Sequence, residues 1–348
     1  MHASARALVV RVTGPWTSSR GIVFGDLVPP DLRRRWVELG HCPDRDVHSL
    51  FADRVRAHPD RDAVIDSVGP LSYAALAGAV LRTAAALVEA GCRPRDVIGI
   101  QVPNGRSAVI AELAVAAIGA VALPYPSGRG SRDSLNLLGR SRATAAIVAE
   151  TAGEVPLAAN LAALRPELPD LGPILVFGAA PPGCRSLDDA ALGAGAPWRP
   201  PLIDAEAPVR ILVSSGSEAE PKMVAYSHNA MAGGRGNWVG ALHHGTAPMR
   251  NLVLVPLSSS YGSLGTFVTL ARHGGTLALL DPFGPDAALA AIGEHGITHL
   301  FGVPTMLRRM ADRRPGPGED TSSLRAVVSS AAALDTPTID ACRARFRC

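Results

Sequence analysis

The sequence is short of aromatic residues, of cysteine and of long apolar runs, and each shortage removes a class of function. Aromatic side chains make up 4% of the 348 positions, too few for a platform on which bases stack. Neither sign of charge dominates: 34 basic and 31 acidic residues leave a net charge of +3. The arginines are scattered as well, so nucleic acid is not expected as a partner. The five cysteines (Cys42, Cys92, Cys184, Cys342 and Cys348) lie far apart and form no C-x-x-C pair, which predicts reduced thiols in a cytoplasmic protein. The longest apolar stretch, Ala108 to Leu123, contains Glu112 and is short for a membrane span, so no transmembrane segment is predicted. Arg6 and Arg11 flank only a brief apolar run, and no signal peptide is read there. Catalytic signatures are missing too. G-x-S-x-G, G-x-G-x-x-G and the Walker A pattern do not occur, which argues against a hydrolase elbow, a nicotinamide site and a P-loop kinase. His243-His244 and Glu294-His295 lack a third ligand at metal spacing, so no zinc site is expected.

What the chain does have is apolar content and a regular alternation. Hydrophobic residues make up 47% of it, enough for a large core and for two domains. Residues 1–46 hold Pro15, Pro29, Pro30 and Pro43 and are read as an irregular arm. A helix is predicted from Val47 to His58, stopped by Pro59, and a short strand at Ala63–Ile65. Ser72 caps a helix whose Leu76, Val80, Ala84 and Leu87 stripe ends at Gly91. Strands at 97–102, 120–123, 145–149 and 174–177 then alternate with helices at 106–118, 134–141 and 156–164. After a Pro- and Gly-rich stretch, strands are expected at 209–213, 251–256, 276–280, 297–301 and 324–328. Helices are expected near 228–242, 262–272, 286–295, 304–312 and 336–346. Such alternation predicts an α/β protein built from two doubly wound, mostly parallel sheet subdomains. The division drawn from sequence is 47–178 for the first, 179–208 for a connector and 209–348 for the second.

One stretch concentrates phosphate chemistry. Val209–Val213 reads as a buried strand, and Ser214-Ser215-Gly216-Ser217-Glu218 follows it, with Pro221-Lys222 just beyond. Three hydroxyls, a glycine and a lysine at the end of a strand supply donors and charge for an oligophosphate. The same composition also suits a polar surface loop.

The order Ser-Ser-Gly-Ser-Glu-x-x-Pro-Lys resembles the phosphate loop of class I adenylate-forming enzymes, the acyl- and aryl-CoA synthetases and peptide-synthetase adenylation domains. Ala219 and Met223 stand where that family usually has glycine. Further segments are similar to the family in order and spacing from about residue 47 to 334. They are Leu71–Leu76, Arg95–Asn104, Ile118–Pro124, Val255–Gly262, Ile297–Met306 and Leu324–Leu334. The resemblance implies αβαβα layering, with ATP, Mg²⁺ and CoA as cosubstrates and metal. It also implies a small-molecule carboxylic acid as substrate, with CoA or a carrier-protein pantetheine thiol as acceptor. Carried over residue by residue, Ser214, Ser215, Gly216, Ser217, Glu218 and Lys222 would hold the triphosphate, with Mg²⁺ between it and Glu218. Ser259, Tyr261, Gly262, Gly302, Val303 and Pro304 would line the acid pocket, Ser259 replacing a family histidine. Ser330, Ala331, Ala332 and Ala333 would form the adenine loop, with Ser330 and Ala331 in place of two glycines. An ordinary strand-to-helix turn fits those small residues equally well, and Gly262 and Gly302 also suit tight packing alone. His228 is assigned no chemical role. Family members continue with a glutamate segment and a lysine-bearing C-terminal domain, so this chain is expected to correspond to their first two-thirds and to adenylate poorly. The alternative is a non-catalytic nucleotide- or acyl-binding remnant.

Overall fold

A computed structural model of the chain describes residues 15–188, 198–214 and 221–348. It is an α/β protein with two mostly parallel sheets. The first has seven strands, in spatial order Met223–Ser227, Pro208–Val213, Val121–Pro124, Val97–Gln101, Ala145–Ala149, Ile174–Phe177 and Arg185–Ser186. The second has six, in the order Ala326–Ser329, His299–Gly302, Arg250–Val253, Thr276–Leu279, Asp62–Asp66 and Gly69–Ser72. One edge strand of each sheet is antiparallel: Met223–Ser227 pairs with Pro208–Val213, and Gly69–Ser72 with Asp62–Asp66.

Local rules account for most elements. Asp46 caps the helix Val47–Ala57 by accepting from the Ser49 N–H at 2.8 Å, and Ser72 caps Tyr73–Glu89 through the Ala75 N–H at 3.2 Å. The stripe Leu76, Val80, Ala84 and Leu87 is wholly buried. The helix Arg106–Ala117 is buried on every side from Ala108 to Ala117, as a helix lying between two sheets must be. It packs on Tyr73–Glu89 and on a π-helix, Gly265–Arg272.

Three expectations are corrected. The division at 179–208 does not follow the sheets: Asp62–Asp66 pairs with Thr276–Leu279, while Pro208–Val213 joins Val121–Pro124. Each sheet therefore draws strands from both sides of the connector, and Arg185–Ser186 within the connector is itself an edge strand. The arm is structured where it is described. Trp16–Thr17 pairs with Val23–Phe24, and Pro30, placed in the irregular arm, opens the helix Pro30–Glu38; its fixed φ and missing N–H suit a first turn. The expected helices at 228–242 and 262–272 begin as π- and 3₁₀-turns, Ala230–Arg235 and Gly262–Leu264.

Among the described residues, the core holds one fully buried ion pair. Arg210 Nη1 donates to Glu112 Oε1 at 2.6 Å, and Nη2 donates to the Leu257 carbonyl at 2.5 Å. Burial pushes the Glu112 carboxyl up and the Arg210 guanidinium down, and their mutual attraction opposes both shifts. Glu112 Oε2 and Arg210 Nε have no hydrogen-bond partner among the described residues. Removing one ion while leaving its partner buried costs about 3–5 kcal/mol, whereas replacing both by apolar groups is often neutral or stabilising. Arg210→Met or Glu112→Gln should therefore lower the urea-unfolding free energy by about 3–5 kcal/mol, and the double variant Glu112→Leu/Arg210→Met should recover most of that loss. Additive losses in the double variant would show that the two residues act independently.

His228 is buried, and its Nδ1 accepts the Val47 N–H at 3.1 Å, joining the end of the first-sheet hairpin to the helix Val47–Ala57. Burial pushes its pKa down to about 4 against the opposing pull of Asp46, with His48 adding to the fall. An unfolded histidine takes up its proton near pH 6.5, roughly. Between that pH and about 4 the unfolded chain binds more protons, so stability falls as pH falls through this window. Urea unfolding at pH 7 and pH 5 should show a smaller loss in His228→Asn, whose amide oxygen can still accept, than in the wild type. Equal losses would remove His228 from the acid response.

Candidate active site

Three neighbouring parallel strands of the second sheet, Arg250–Val253, His299–Gly302 and Ala326–Ser329, send their carboxyl ends to one place. Open α/β sheets hold ligands at that edge. Gly302 lies opposite Ser329, and Tyr261 bridges the two strands. Its hydroxyl donates to the Val328 carbonyl at 2.8 Å, and its ring meets Phe301 edge-on with centroids 6.3 Å apart. Burial pushes the Tyr261 phenol well up, against a weaker lowering by the Gly302 backbone, so it stays a neutral donor.

The turn before Tyr261 uses the residues that the sequence marked. The Ser259 N–H donates to the Pro256 carbonyl at 2.9 Å, and Ser259 Oγ accepts the Gly262 N–H at 2.9 Å. A Cβ at Gly262 would stand 2.0 Å from the Pro256 oxygen, so no other residue fits this turn. Ser259 is thus bonded within the turn, while its neighbour Ser260 faces a cavity of about 380 Å³.

That cavity joins Tyr261 with Ser330 and Ala331, residues from the expected acid and adenine segments. Ala332 and Ala333 are exposed and do not line it. Neither do Gly302, Val303 and Pro304, the last two forming the start of the helix Pro304–Ala311. Ala331 has φ +72°, a left-handed backbone that costs a residue with a Cβ about 1–2 kcal/mol. The hydroxyl of Ser329, two residues earlier, is buried without a hydrogen-bond partner among the described residues.

The phosphate stretch joins two antiparallel strands rather than a strand and a helix. The Ser214 N–H donates to the Lys222 carbonyl at 2.9 Å, closing the base of the hairpin. Ser214 Oγ is buried with no partner among the described residues, and Lys222 is exposed. Ser215, Gly216, Ser217 and Glu218 lie outside the described residues. Lys222 is the chain's one lysine among 34 basic residues, a signal the sequence reading passed over. Its ammonium is a compact point charge on a flexible stem, unlike the planar guanidinium of the other basic residues.

Sequence reasoning also missed the opposite wall of the cavity. Arg235 and Trp238 line it from the segment after the hairpin, with Leu264 below Tyr261 in the chain. Arg235 Nη1 donates to the Ser260 carbonyl at 2.8 Å and Nη2 to Ser260 Oγ at 3.1 Å, while its guanidinium lies 5.0 Å from the Tyr226 ring centre. The available signal was a single cation among glycines, Gly233-Gly234-Arg235-Gly236. A 3.6-residue period does not place the faces of the π-helix Ala230–Arg235.

Comparison with known proteins agrees with this architecture. The family model described as AMP-binding enzyme matches residues 51–348. The salicyl-AMP ligase / salicyl-S-ArCP synthetase of Mycobacterium tuberculosis is 30% identical over 302 residues, covering 81% of this chain and 51% of that protein. The indoleacetate–CoA ligase of Aromatoleum aromaticum is 30% identical over 273 residues, covering 78% and 52%. The apo structure of MbtA from Mycobacterium smegmatis superposes with a TM-score of 0.82 at 25% identity, over 93% of this chain and 59% of that one. The chain thus spans roughly half of these relatives' length. It belongs to the AMP-binding enzymes, the family of adenylate-forming ligases.

Proposed function

We propose that this chain is the nucleotide- and acid-binding part of an AMP-forming acid–thiol ligase. A carboxylate is a poor electrophile. In the proposed reaction its oxygen attacks the α-phosphorus of ATP, pyrophosphate leaves, and an acyl-adenylate forms. A thiolate, from CoA or from a carrier protein's pantetheine, then attacks the acyl carbon, and AMP leaves with the bonding pair. The observation that supports this best is the shared cavity, where Tyr261 of the acid segment meets Ser330 and Ala331 of the adenine segment.

Each group has a task in this reading. The hydroxyls of Ser214, Ser215 and Ser217 donate to phosphate oxygens, Gly216 lets the backbone approach, and Lys222 supplies charge. The buried Ser214 hydroxyl, which has no hydrogen-bond partner among the described residues, fits such a ligand, because a polar atom left unbonded in the interior is costly. Mg²⁺ would be held at Glu218, reconciling that carboxylate with the triphosphate and spreading the charge that develops at phosphorus. The neutral Tyr261 hydroxyl is committed to Val328, so it shapes the pocket rather than moving a proton.

Titration of MgATP, and separately of a sulfamoyl analogue of benzoyl-adenylate, into the wild type and Lys222→Ala tests this reading. The wild type should bind both. The variant should lose roughly tenfold in MgATP affinity, about 1.4 kcal/mol, and little for the analogue, which has no β- or γ-phosphate. A folded wild type that binds neither ligand would overturn the reading, and equal MgATP affinities would remove Lys222 from the phosphate site. A second substitution probes the adenine loop. Ala331→Gly relieves a left-handed alanine and should stabilise the fold by about 1 kcal/mol while tightening the adenylate analogue. A less stable variant with weaker analogue binding would show that the methyl group is part of the site.

A further inference from the structure

We infer that the cavity selects a carboxylic acid carrying a second anionic group, and that Arg235 is the residue that selects it. The inference rests on the reading of this cavity as the acid pocket of an AMP-forming ligase. Among the described residues Arg235 belongs to no ion pair, and its Nε is buried without a hydrogen-bond partner. Its bonds to the Ser260 carbonyl and hydroxyl and its place over Tyr226 fix the guanidinium without neutralising it. The other elements that line the cavity contribute Trp238, Tyr261, Leu264, Ser330 and Ala331, and none of these is a carboxylate. The buried carboxylate Glu112 is already engaged by Arg210, whose charge repels that of Arg235.

A guanidinium has five donors in a planar fork, and Ser260 occupies two of them. A neutral ligand body pressed against Arg235 would strip water from the cation and give nothing back. An anionic substituent would meet it with charge-assisted, fork-shaped bonds. Register separates this substituent from the reacting carboxylate. Tyr226, under Arg235, pairs with Arg210, whereas the phosphate end of the hairpin is the Val213–Met223 pair. Three residues of strand part the two, about 10 Å at the usual rise, so one acid can offer one anion to each end. Trp238 and Leu264 suit a flat apolar body between them.

The test uses two probes of one shape: terephthalate, and 4-methylbenzoate, in which a methyl group replaces the second carboxylate. Each is titrated into the whole chain with Mg²⁺ and α,β-methylene-ATP present, for the wild type, Arg235→Gln and Arg235→Lys, with thermal melting as the check on folding. Terephthalate should bind the wild type at least about tenfold more tightly. That preference should vanish in Arg235→Gln and persist in weakened form in Arg235→Lys. Equal affinity of the wild type for both probes would overturn the selection while leaving the acid-pocket reading intact. Equal weakening of both probes in Arg235→Gln would place Arg235 on the reacting carboxylate and also overturn it. Failure of both probes to bind a chain that still binds the nucleotide would overturn the inference and the acid-pocket reading together. If Arg235→Gln does not fold, the wild-type preference and Arg235→Lys decide the question.

Discussion

The buried pair of Arg210 and Glu112 ties the two sheets to the helix between them. Arg210 stands on a strand of the first sheet, Glu112 on the helix between the sheets, and Leu257 on the loop that leaves a strand of the second. Each ion gave up several kcal/mol of hydration on burial, in round terms, and keeps its place only through these bonds. The guanidinium also lies 6.0 Å from the ring centre of Phe267 on the second π-helix. Arg210 is in register with Tyr226, which lies under Arg235, and Leu257 begins the turn that ends at Gly262. The same side chain therefore fixes both walls of the cleft, so packing in the core and geometry at the site are one constraint.

What could be read from sequence follows the range of the interactions involved. Helix Tyr73–Glu89 is legible because a cap, a stripe and a terminal glycine all lie within twenty residues or so of one another, and such signals are local. Sheet membership is not local. Asp62–Asp66 looks like the first strand of the first subdomain, yet its parallel partner is Thr276–Leu279, and periodicity says nothing about which distant strand a segment meets. Met223–Ser227 was illegible for another reason. Every residue of it is half-buried, so it lacks the in–out alternation that betrays a strand.

At the site, the legible residues are those whose motif dictates a backbone. Gly262 and Ala331 occupy positions where a Cβ either collides with a carbonyl or forces a left-handed φ. Ala331 holds a left-handed φ of +72°, a conformation that ordinarily favours glycine. Ser259, expected to line the acid pocket, bonds within its own turn through a short side chain, and Ser260 reaches the cavity instead. Arg235 and Trp238 lie in no motif, and only the three-dimensional path of the chain brings them to Tyr261.

That path is itself set by small residues. A Cβ on Gly233 would fall 2.7 Å from Cys42 Sγ and 2.8 Å from the His41 carbonyl, and one on Gly236 would fall 2.9 Å from Cγ of Arg272. The π-helix and the helix that follows it are therefore wedged between the 41–42 segment and the second π-helix, touching both with bare backbone. Asn237 reinforces the first contact by donating to the His41 carbonyl at 2.8 Å. With those directions filled, the long side chain between the two glycines extends toward the cleft, where Ser260 and Tyr226 receive it. The wide π-turn shifts the faces that follow relative to an α-helix, and Trp238, three residues on, also lines the cavity. A cation with no ion-pair partner among the described residues and an aromatic ring thus share one wall because of close backbone packing behind them, not because of any pattern in their own side chains.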